Sequence, residues 1–370
     1  MRITAKEEKH FYDIALTRAE RIGDRTARHL LSHFETAKNI FNASSRRIAT
    51  LDGLNHKKIE ALRKAVDEKA IRKELAFIDK YDIKPLLITD EQYPRHLKAC
   101  PDAPVLLYYK GNVPLNNVRL VAVIGTRKNT DYGVQLTHAL LEGLQGQNVA
   151  IVSGLAYGID VIAHRKALQL GIPTLGVLAH GMDTIYPAQH RHVAREMILN
   201  GGLLTEYSSG TGPDRFHFPM RNRIVAGMCD VTVVIETERK GGAMITAKLA
   251  SSYNREVAAF PGRTIDRKSD GCNYLLKTNI AQLITGPEEL IEMMNWDQQV
   301  SKPAIQQRLF AHLSDEERVL IHALESSEGM HVDELSLKTG MTTSVLNHML
   351  LALELNNVVR TLPGKRYRLP

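Results

Sequence analysis

The sequence has no long apolar run and few cysteines. No segment approaches the roughly 20 consecutive apolar residues that a membrane-spanning helix needs, although 44% of the 370 residues are hydrophobic. The first residues, MRITAKEEKHFYD, lack the apolar core of a secretory signal. Cys100, Cys229 and Cys272 stand far apart, with no C-x-x-C pair and no histidine cluster at metal spacing. These absences predict a cytoplasmic protein without a structural metal or a membrane span.

The signatures of nucleotide-dependent enzymes are missing as well. The chain contains no G-x-x-x-x-G-K-[ST] phosphate loop. No G-x-G-x-x-G motif follows the first strand, as it would in a dinucleotide-binding domain. After Gly241-Gly242, the next turn carries Thr246 to Leu249 and no carboxylate that could transfer a proton. Asp160, at the start of a helical stretch, is interpreted as a helix cap. The sequence therefore predicts no cofactor and no catalytic residue.

The net charge of +7 is concentrated at the amino-terminal end. Residues 1–100 contain 21 Lys and Arg against 15 Asp and Glu, whereas residues 101–300 contain 19 against 18, and 301–370 contain 8 against 8. A basic total is compatible with a nucleic-acid partner. In the central region, however, such binding would need local clustering of positive charge.

Residues 7–80 show apolar positions at helical spacing and no β-rich run. Segments 21–34 and 51–62 each place a glycine turn before an amphipathic helix, a pattern typical of SAM or helix-hairpin-helix domains. Such glycines let backbone amides approach a phosphate. Plain helix–turn–helix scaffolding explains the same pattern, and we favour it slightly because the two copies are imperfect.

Between residues 84 and 296, short β-branched runs alternate with helical stretches. Continuous apolar strands separated by helices predict a doubly wound α/β domain, with a parallel sheet covered on both faces. The predicted strands are 85–88, 105–109, 119–125, 148–154, 173–181, 231–236 and 256–262.

The carboxyl-terminal region has a different pattern. Residues 297–308 are polar and are interpreted as a linker, and three short helices followed by two strands predict a winged helix in 309–370. Its third helix, in TSVLNHMLLALELNN, carries no Lys or Arg, which favours protein docking or packing on a neighbouring domain over binding in the major groove. The predicted domains are thus 1–82, 83–296 and 309–370, with the linker between the last two.

Loops after the predicted strands carry the residues that could bind a ligand. Because ligands of doubly wound sheets bind at the carboxyl ends of the strands, glycines and arginines in these loops predict an anion site. Tight turns and close packing are the alternative explanation for single glycines. The predicted site residues are Gly125, Thr126, Arg127, Ser153, Gly154, Gly158, Arg215, Phe218, Arg221, Asn222, Arg223, Gly241 and Gly242.

Over residues 85–290, six motifs together resemble the DNA-processing protein A (DprA/Smf) family. They are VAVIGTR, SGLAYGIDVIAHRKAL, GMDTIYP, FPMRNRIVAG, GGAMITAKLA and VAAFPG, in the family's order and spacing. The resemblance implies an extended Rossmann-like domain that dimerises and binds single-stranded DNA. It also implies a protein that loads a RecA-type recombinase during natural transformation and is not an enzyme.

The resemblance also assigns roles to individual residues. It implies phosphate contacts for Arg127, Arg221 and Arg223, a further basic contact for Arg215, and base stacking on Phe216 or Phe218. Two positions depart from the family pattern. A serine-bearing loop reads Gly241-Gly242-Ala243 here, and the Y-P-x-x-N motif ends in His190.

Other interpretations remain open at this stage. Arg223 could pair with a carboxylate such as Glu206 instead of DNA, so Arg221 is the stronger candidate for a ligand contact. A phosphoribohydrolase-like nucleotide hydrolase is an alternative on the same fold, although only the Gly-Gly of its P-G-G-x-G-T-x-x-E signature is present. A winged-helix transcription regulator is a third alternative, and the neutral charge of its domain argues against it.

Overall fold

The computed structural model describes residues 5–296, 314–325, 327, 329–355 and 358–369. The predicted linker 297–308 lies outside the described residues. None of the helices within these ranges combines the length and the hydropathy that a membrane span requires.

The described chain begins with a layer of helices. Several start at a side-chain cap, in which Thr36, Ser44, Asn55 or Asp67 accepts the N–H three residues further on. The helices of this layer are α1 (Ala5–Arg18), α2 (Asp24–Phe34), α3 (Ala37–Asn42), α4 (Ser45–Ala49), α5 (His56–Lys64) and α6 (Glu68–Lys80).

A mixed sheet follows, in the order β1-β2-β6-β5-β4-β3-β7-β8-β9 among the described residues. The pairs from β6 to β9 are parallel, whereas β2 runs antiparallel to both β1 and β6. The strands are β1 (Lys84–Leu87), β2 (Leu106–Gly111), β3 (Arg119–Ile124), β4 (Val149–Ser153), β5 (Thr174–Val177), β6 (Gly201–Thr205), β7 (Val231–Val234), β8 (Glu256–Ala259) and β9 (Gln282–Leu283).

All seven predicted strands are present, and two strands of this sheet were not predicted. The sequence of β6, GGLLT, contains two glycines and lacks a β-branched run, so its pattern does not indicate a strand. The glycines are needed because neighbouring strands leave no room for a side chain at these positions. A side chain at Gly202 would meet the ring of Tyr109 at 2.7 Å. The antiparallel placement of β2 also differs from the parallel sheet that we predicted.

Helices cover both faces of the sheet. In the sequence of β3, alternate residues enter different cores, since Leu120 and Ala122 face one side and Val121 and Val123 the other. These helices are α7 (Arg95–Ala99), α8 (Asp131–Gly143), α9 (Ile159–Gln169), α10 (Arg191–Leu199), α11 (His217–Met228), α12 (Gly242–Ser252), α13 (Asp270–Lys277) and α14 (Pro287–Met293).

The amino-terminal helices do not enclose a separate core. Ile14, Leu30 and Leu62 belong to the same continuous cluster of buried side chains as Leu107 of β2 and Ile124 of β3. The helical layer is therefore packed onto one face of the sheet and contributes to a shared interior.

The carboxyl-terminal region folds as a winged helix with its own core, in which Leu320, Leu335 and Leu350 are buried. The short strand β10 pairs with β12 and was not predicted. The elements are α15 (Asp315–Glu325), β10 (Met330–His331), α16 (Val332–Thr339), α17 (Thr343–Leu355), β11 (Arg360–Leu362) and β12 (Arg366–Arg368).

The winged helix docks on the central body through a buried charge. Arg255, which is 4% exposed, forms an ion pair with Asp333 of α16. The same guanidinium donates to the carbonyl oxygens of Gly227 at 3.2 Å and His96 at 2.6 Å. Because these carbonyls lie on α11 and α7, one side chain joins three parts of the molecule.

Candidate nucleic-acid interface

A cavity of about 740 Å³ opens at the carboxyl ends of β3, β4 and β7. This is the edge at which ligands of doubly wound sheets bind. The structure brings ten of the predicted residues into its lining: Gly125, Thr126, Arg127, Gly154, Arg215, Phe218, Arg221, Asn222, Gly241 and Gly242.

Two predicted residues support the cleft without lining it. The hydroxyl of Ser153 is buried and donates to the carbonyl of Val123 at 2.7 Å. Gly158 has a φ of +77°, and a side chain there would meet the backbone of Arg127 at 2.8 Å. Both residues therefore shape the loops and are not placed to contact a ligand.

Arg223 faces away from the cleft. Its guanidinium pairs with Glu206, lies 3.2 Å from the carboxylate of Asp24 and donates to the carbonyl of Asp102 at 2.7 Å. Burial alone would lower the pKa of Arg223, but the charges of Glu206 and Asp24 raise it above its usual value. The structure thus favours the ion pair for Arg223, and the DNA contact that we predicted for it has no geometric support.

Arg221, two residues earlier on α11, points in the other direction and forms the floor of the cleft. It is 4% exposed and donates to the carbonyl of Val177 and, at 3.2 Å, to the side chain of Asn222. Burial lowers its pKa, which the charge of Asp160 partly offsets. No carboxylate lies within 4 Å of this guanidinium in the described residues, so a buried positive charge lacks a contacting anion.

The carboxylate of Asp160 is hydrogen-bonded to the turn that follows β4. It accepts N–H groups from Gly154 at 3.2 Å and Ala156 at 3.4 Å. Burial raises the pKa of Asp160, while the charge of Arg221 lowers it. The carboxylate fixes the turn after β4 and is not the N-cap that we predicted, since Gly158 holds that position on α9.

Cations and aromatic rings alternate along the rim. The guanidinium carbon of Arg127 lies 5.3 Å from the centre of the Phe218 ring, and that ring lies 5.8 Å from the ring of Tyr186. Arg215 stands over Phe216 at 4.6 Å, and Phe216 is 66% exposed. The rim therefore presents flat rings beside positive charges, as in binding sites for unpaired bases.

Helix α12 directs its amino terminus into the cleft. Its N-cap, Gly241, has no side-chain cap, and Gly242 has open space where a side chain would project. The exposed Lys240 lines the cleft beside them. Sequence reasoning missed Lys240, although a lysine directly before a Gly-Gly helix start is a recognisable signal for an anion site.

The balance of charge at the opening is positive. In the part of the chain that the structure describes, Arg127, Arg215 and Lys240 form no ion pair. Glu238 also lines the cleft, but Lys268 holds its carboxylate at 2.7 Å. The cleft thus offers three cations outside ion pairs, a buried arginine and a helix amino terminus to an anionic ligand.

The fold and the site together define a Rossmann-like α/β protein with a basic, aromatic-rimmed cleft. The family model for DNA recombination-mediator protein A matches residues 84–295, and the model for the DprA winged helix domain matches 304–365. The chain belongs to the DNA recombination-mediator protein A (DprA/Smf) family. The resemblance inferred from its motifs is therefore confirmed, as is the predicted Rossmann-like fold with amino-terminal helices and a winged helix.

Individual relatives agree with this membership. The chain is 42% identical over 205 residues to DNA processing protein DprA of Streptococcus pneumoniae, covering 55% of this chain and 72% of that one. It is 31% identical over 307 residues to protein Smf of Escherichia coli, covering 81% of each chain.

Solved structures show the same fold. The Streptococcus pneumoniae DprA structure superposes with a TM-score of 0.68 at 33% identity, over 79% of this chain and 98% of that one. A Helicobacter pylori structure, described as giving insight into a single-stranded DNA binding mode, has a TM-score of 0.53 at 33% identity. It covers 59% of this chain and 97% of that one.

Proposed function

We propose that this chain is a cytoplasmic recombination mediator that binds single-stranded DNA in the cleft and loads a RecA-type recombinase onto it during natural transformation. The protein catalyses no covalent step in this proposal. It acts as a homodimer through the Rossmann-like domain, so that two clefts can engage one strand. The proposal is supported by family membership and by the single-stranded DNA binding named for the Helicobacter pylori relative.

One observation carries the proposal most directly. Arg127, Arg215 and Lys240 line one opening without ion pairs among the described residues, and the guanidinium carbon of Arg127 lies 5.3 Å from the centre of the Phe218 ring. Phosphates of a strand would contact the cations, while an unpaired base would stack on a ring. A duplex buries its bases and could not use the rings in this way. Binding should therefore prefer a single strand and tolerate any sequence.

The first experiment is a titration of labelled oligo-dT, followed by anisotropy across a salt series. Arg127→Ala and Lys240→Ala should each weaken binding and lower the steepness of log K against log salt by about 0.7, since each loses one phosphate contact. Arg195→Ala, at an exposed position of α10 outside the cleft, is the matched control. Arg221→Ala is less suitable, because removing this buried side chain also leaves a void.

Competitors separate the alternatives. If unlabelled single strand displaces the probe and duplex or nucleoside monophosphate does not, the single-strand proposal stands. Displacement by nucleoside monophosphate, or release of a free base from it, would instead support the alternative of a phosphoribohydrolase-like nucleotide hydrolase. If neither Arg127→Ala nor Lys240→Ala changes the affinity for the strand, the cleft is not the binding site.

Recombinase loading needs its own assay. RecA-type ATPase activity would be followed on strands coated with single-strand-binding protein, with wild type or Arg127→Ala added. Stimulation by wild type and loss with the variant are expected, because the mediator must hold the strand to present it. No stimulation by a protein that binds the strand would overturn the loading role while leaving DNA binding intact.

A further inference from the structure

Loop 261–269, between β8 and α13, forms a second basic rim beside the cleft. Arg267 and Lys268 both contact Glu238, at 3.4 Å and 2.7 Å, and Glu238 lines the cleft. Strand β8 neighbours β7 in the sheet, and β7 neighbours β3. The loop therefore begins about 10 Å, or two strand spacings, from the end of β3. At an axial rise of about 3.4 Å per nucleotide of a stacked strand, a bound strand would reach the start of the loop within about three nucleotides.

Hydrogen bonds anchor both ends of the loop. The side chain of Asn273 accepts the N–H of Gly262 at 3.2 Å and donates to its carbonyl at 2.9 Å. Within the loop, Ser269 N–H donates to the carbonyl of Asp266 at 2.9 Å. Tyr132, which follows β3, donates its hydroxyl to the carbonyl of Pro261 at 3.3 Å. Anchored ends reduce the conformational entropy that the loop loses when it binds a ligand.

The tip of this loop combines charge with apolar surface. Ile265 is 85% exposed and stands between Arg263 and Arg267, whose side chains are 79% and 87% exposed. Arg263 pairs with Asp266 at 2.8 Å. Because both arginines are in contact with water, exchanging these carboxylates for phosphates costs little. An exposed branched side chain between two cations suits a base between two phosphates.

We propose that loop 261–269 continues the path of the single strand beyond the cleft. Arg263 and Arg267 contact backbone phosphates, and Ile265 rests against a base. The proposal rests on the proposed function, because it concerns the same strand. It differs in placing contacts on the β8 side of the sheet, outside the cavity.

The first test uses the reactivity of a single thiol. Cys100, Cys229 and Cys272 are buried, so Ile265→Cys adds one accessible cysteine for labelling with a maleimide. We expect saturating oligo-dT of about 20 nucleotides, longer than one typical site of about 4–16 nucleotides, to slow the labelling at least fivefold. Leu199→Cys, at a position 77% exposed at the end of α10, is the control and should label at the same rate with and without the strand.

The second test measures affinity. Arg263→Ala combined with Arg267→Ala should weaken binding of the same oligonucleotide about tenfold at low salt and reduce the salt slope by about 1.4, for two lost contacts. Arg165→Ala combined with Arg195→Ala removes two exposed charges from α9 and α10 and should leave both quantities unchanged.

The outcomes distinguish this inference from the proposed function. If the strand binds and Arg127→Ala weakens it, but the thiol of the Ile265→Cys variant stays fully reactive and the double variant binds normally, the inference alone is wrong. If no strand binds at all, both fail together. Slower labelling at rising protein concentration without DNA would mark the loop as a contact between copies of the chain, which also overturns the proposal.

Discussion

The guanidinium of Arg221 lies where a side chain on Gly154 would project. The turn after β4 and the helix α11 are far apart in the sequence, yet the absence of a side chain on one allows the charge of the other to reach the cleft floor. The glycine is thus required by tertiary packing, since its φ is not positive.

Gly154→Ala should therefore displace Arg221 and weaken binding of oligo-dT more than tenfold. Overpacking against a buried side chain such as that of Arg221 typically destabilises by about 1–3 kcal/mol, which urea denaturation would detect. Gly212→Ala is the control, because the space around Gly212 is open. Equal affinities for the two variants would show that the position of Arg221 does not matter to the strand.

Phe218 provides a test of base stacking. Phe218→Ala should weaken binding of the single strand by about 1–3 kcal/mol, the usual contribution of one stacked base. Phe218→Leu keeps apolar volume against Tyr186 but lacks a flat ring, so we expect it to restore stability and not affinity. Anisotropy measures the affinity of both variants for the strand, and thermal unfolding measures their stability. Full affinity in the leucine variant would assign Phe218 to packing alone.

The buried pair of Glu206 and Arg223 should make stability depend on pH. Burial raises the pKa of Glu206 from 4.5 to about 7, more than Arg223 lowers it. A carboxyl group whose pKa is higher in the folded state favours folding below its unfolded pKa. That contribution is lost as pH rises through the folded pKa.

Relative to Glu206→Gln, the wild-type free energy of unfolding should fall between pH 4.5 and about 7, by an amount on the order of 1–3 kcal/mol. Urea denaturation of both proteins at several pH values in this window measures the difference. A constant difference across the window would contradict the raised pKa.

Two neighbouring carboxylates on α16 allow a matched test of domain docking. Asp333→Asn removes the partner of a guanidinium whose side chain is 1% exposed, and breaking a buried pair typically costs about 3–5 kcal/mol. We expect the winged helix to be released, with faster hydrogen exchange in α16 and unchanged binding in the cleft. The contact of Glu334 with Arg95 is 3.9 Å long and exposed. Glu334→Gln should therefore leave both the docking of the winged helix and the hydrogen exchange of α16 unchanged. Similar exchange in the two variants would show that Arg255 does not hold the domain.

Much of the site could be predicted because it depends on local signals. A β-branched run followed by a glycine turn and a helical stretch indicates where a strand ends, and parallel strands end at one edge. These two facts are enough to place Gly125, Arg127 and Gly241 together. Lys240 was missed although it adjoins the same glycines.

The roles of Arg221 and Arg223 could not be separated in this way. Both belong to one short motif, and their directions depend on α11, which was not predicted. On a helix, residues two apart point about 200° from each other, so one arginine enters the cleft and the other reaches Asp24 of α2. Which of them meets a carboxylate depends on elements distant in the sequence.

The alternation of strands and helices, the edge that carries the glycine loops and the neutral winged helix could all be predicted from the sequence. These features follow from periodicity and turn chemistry within a few residues. Three features became visible only in the folded chain: the amino-terminal helices share the core of the sheet, β6 completes the sheet, and Gly154 makes room for Arg221. The apolar face of a helix shows that it will be buried but does not specify the surface against which it packs.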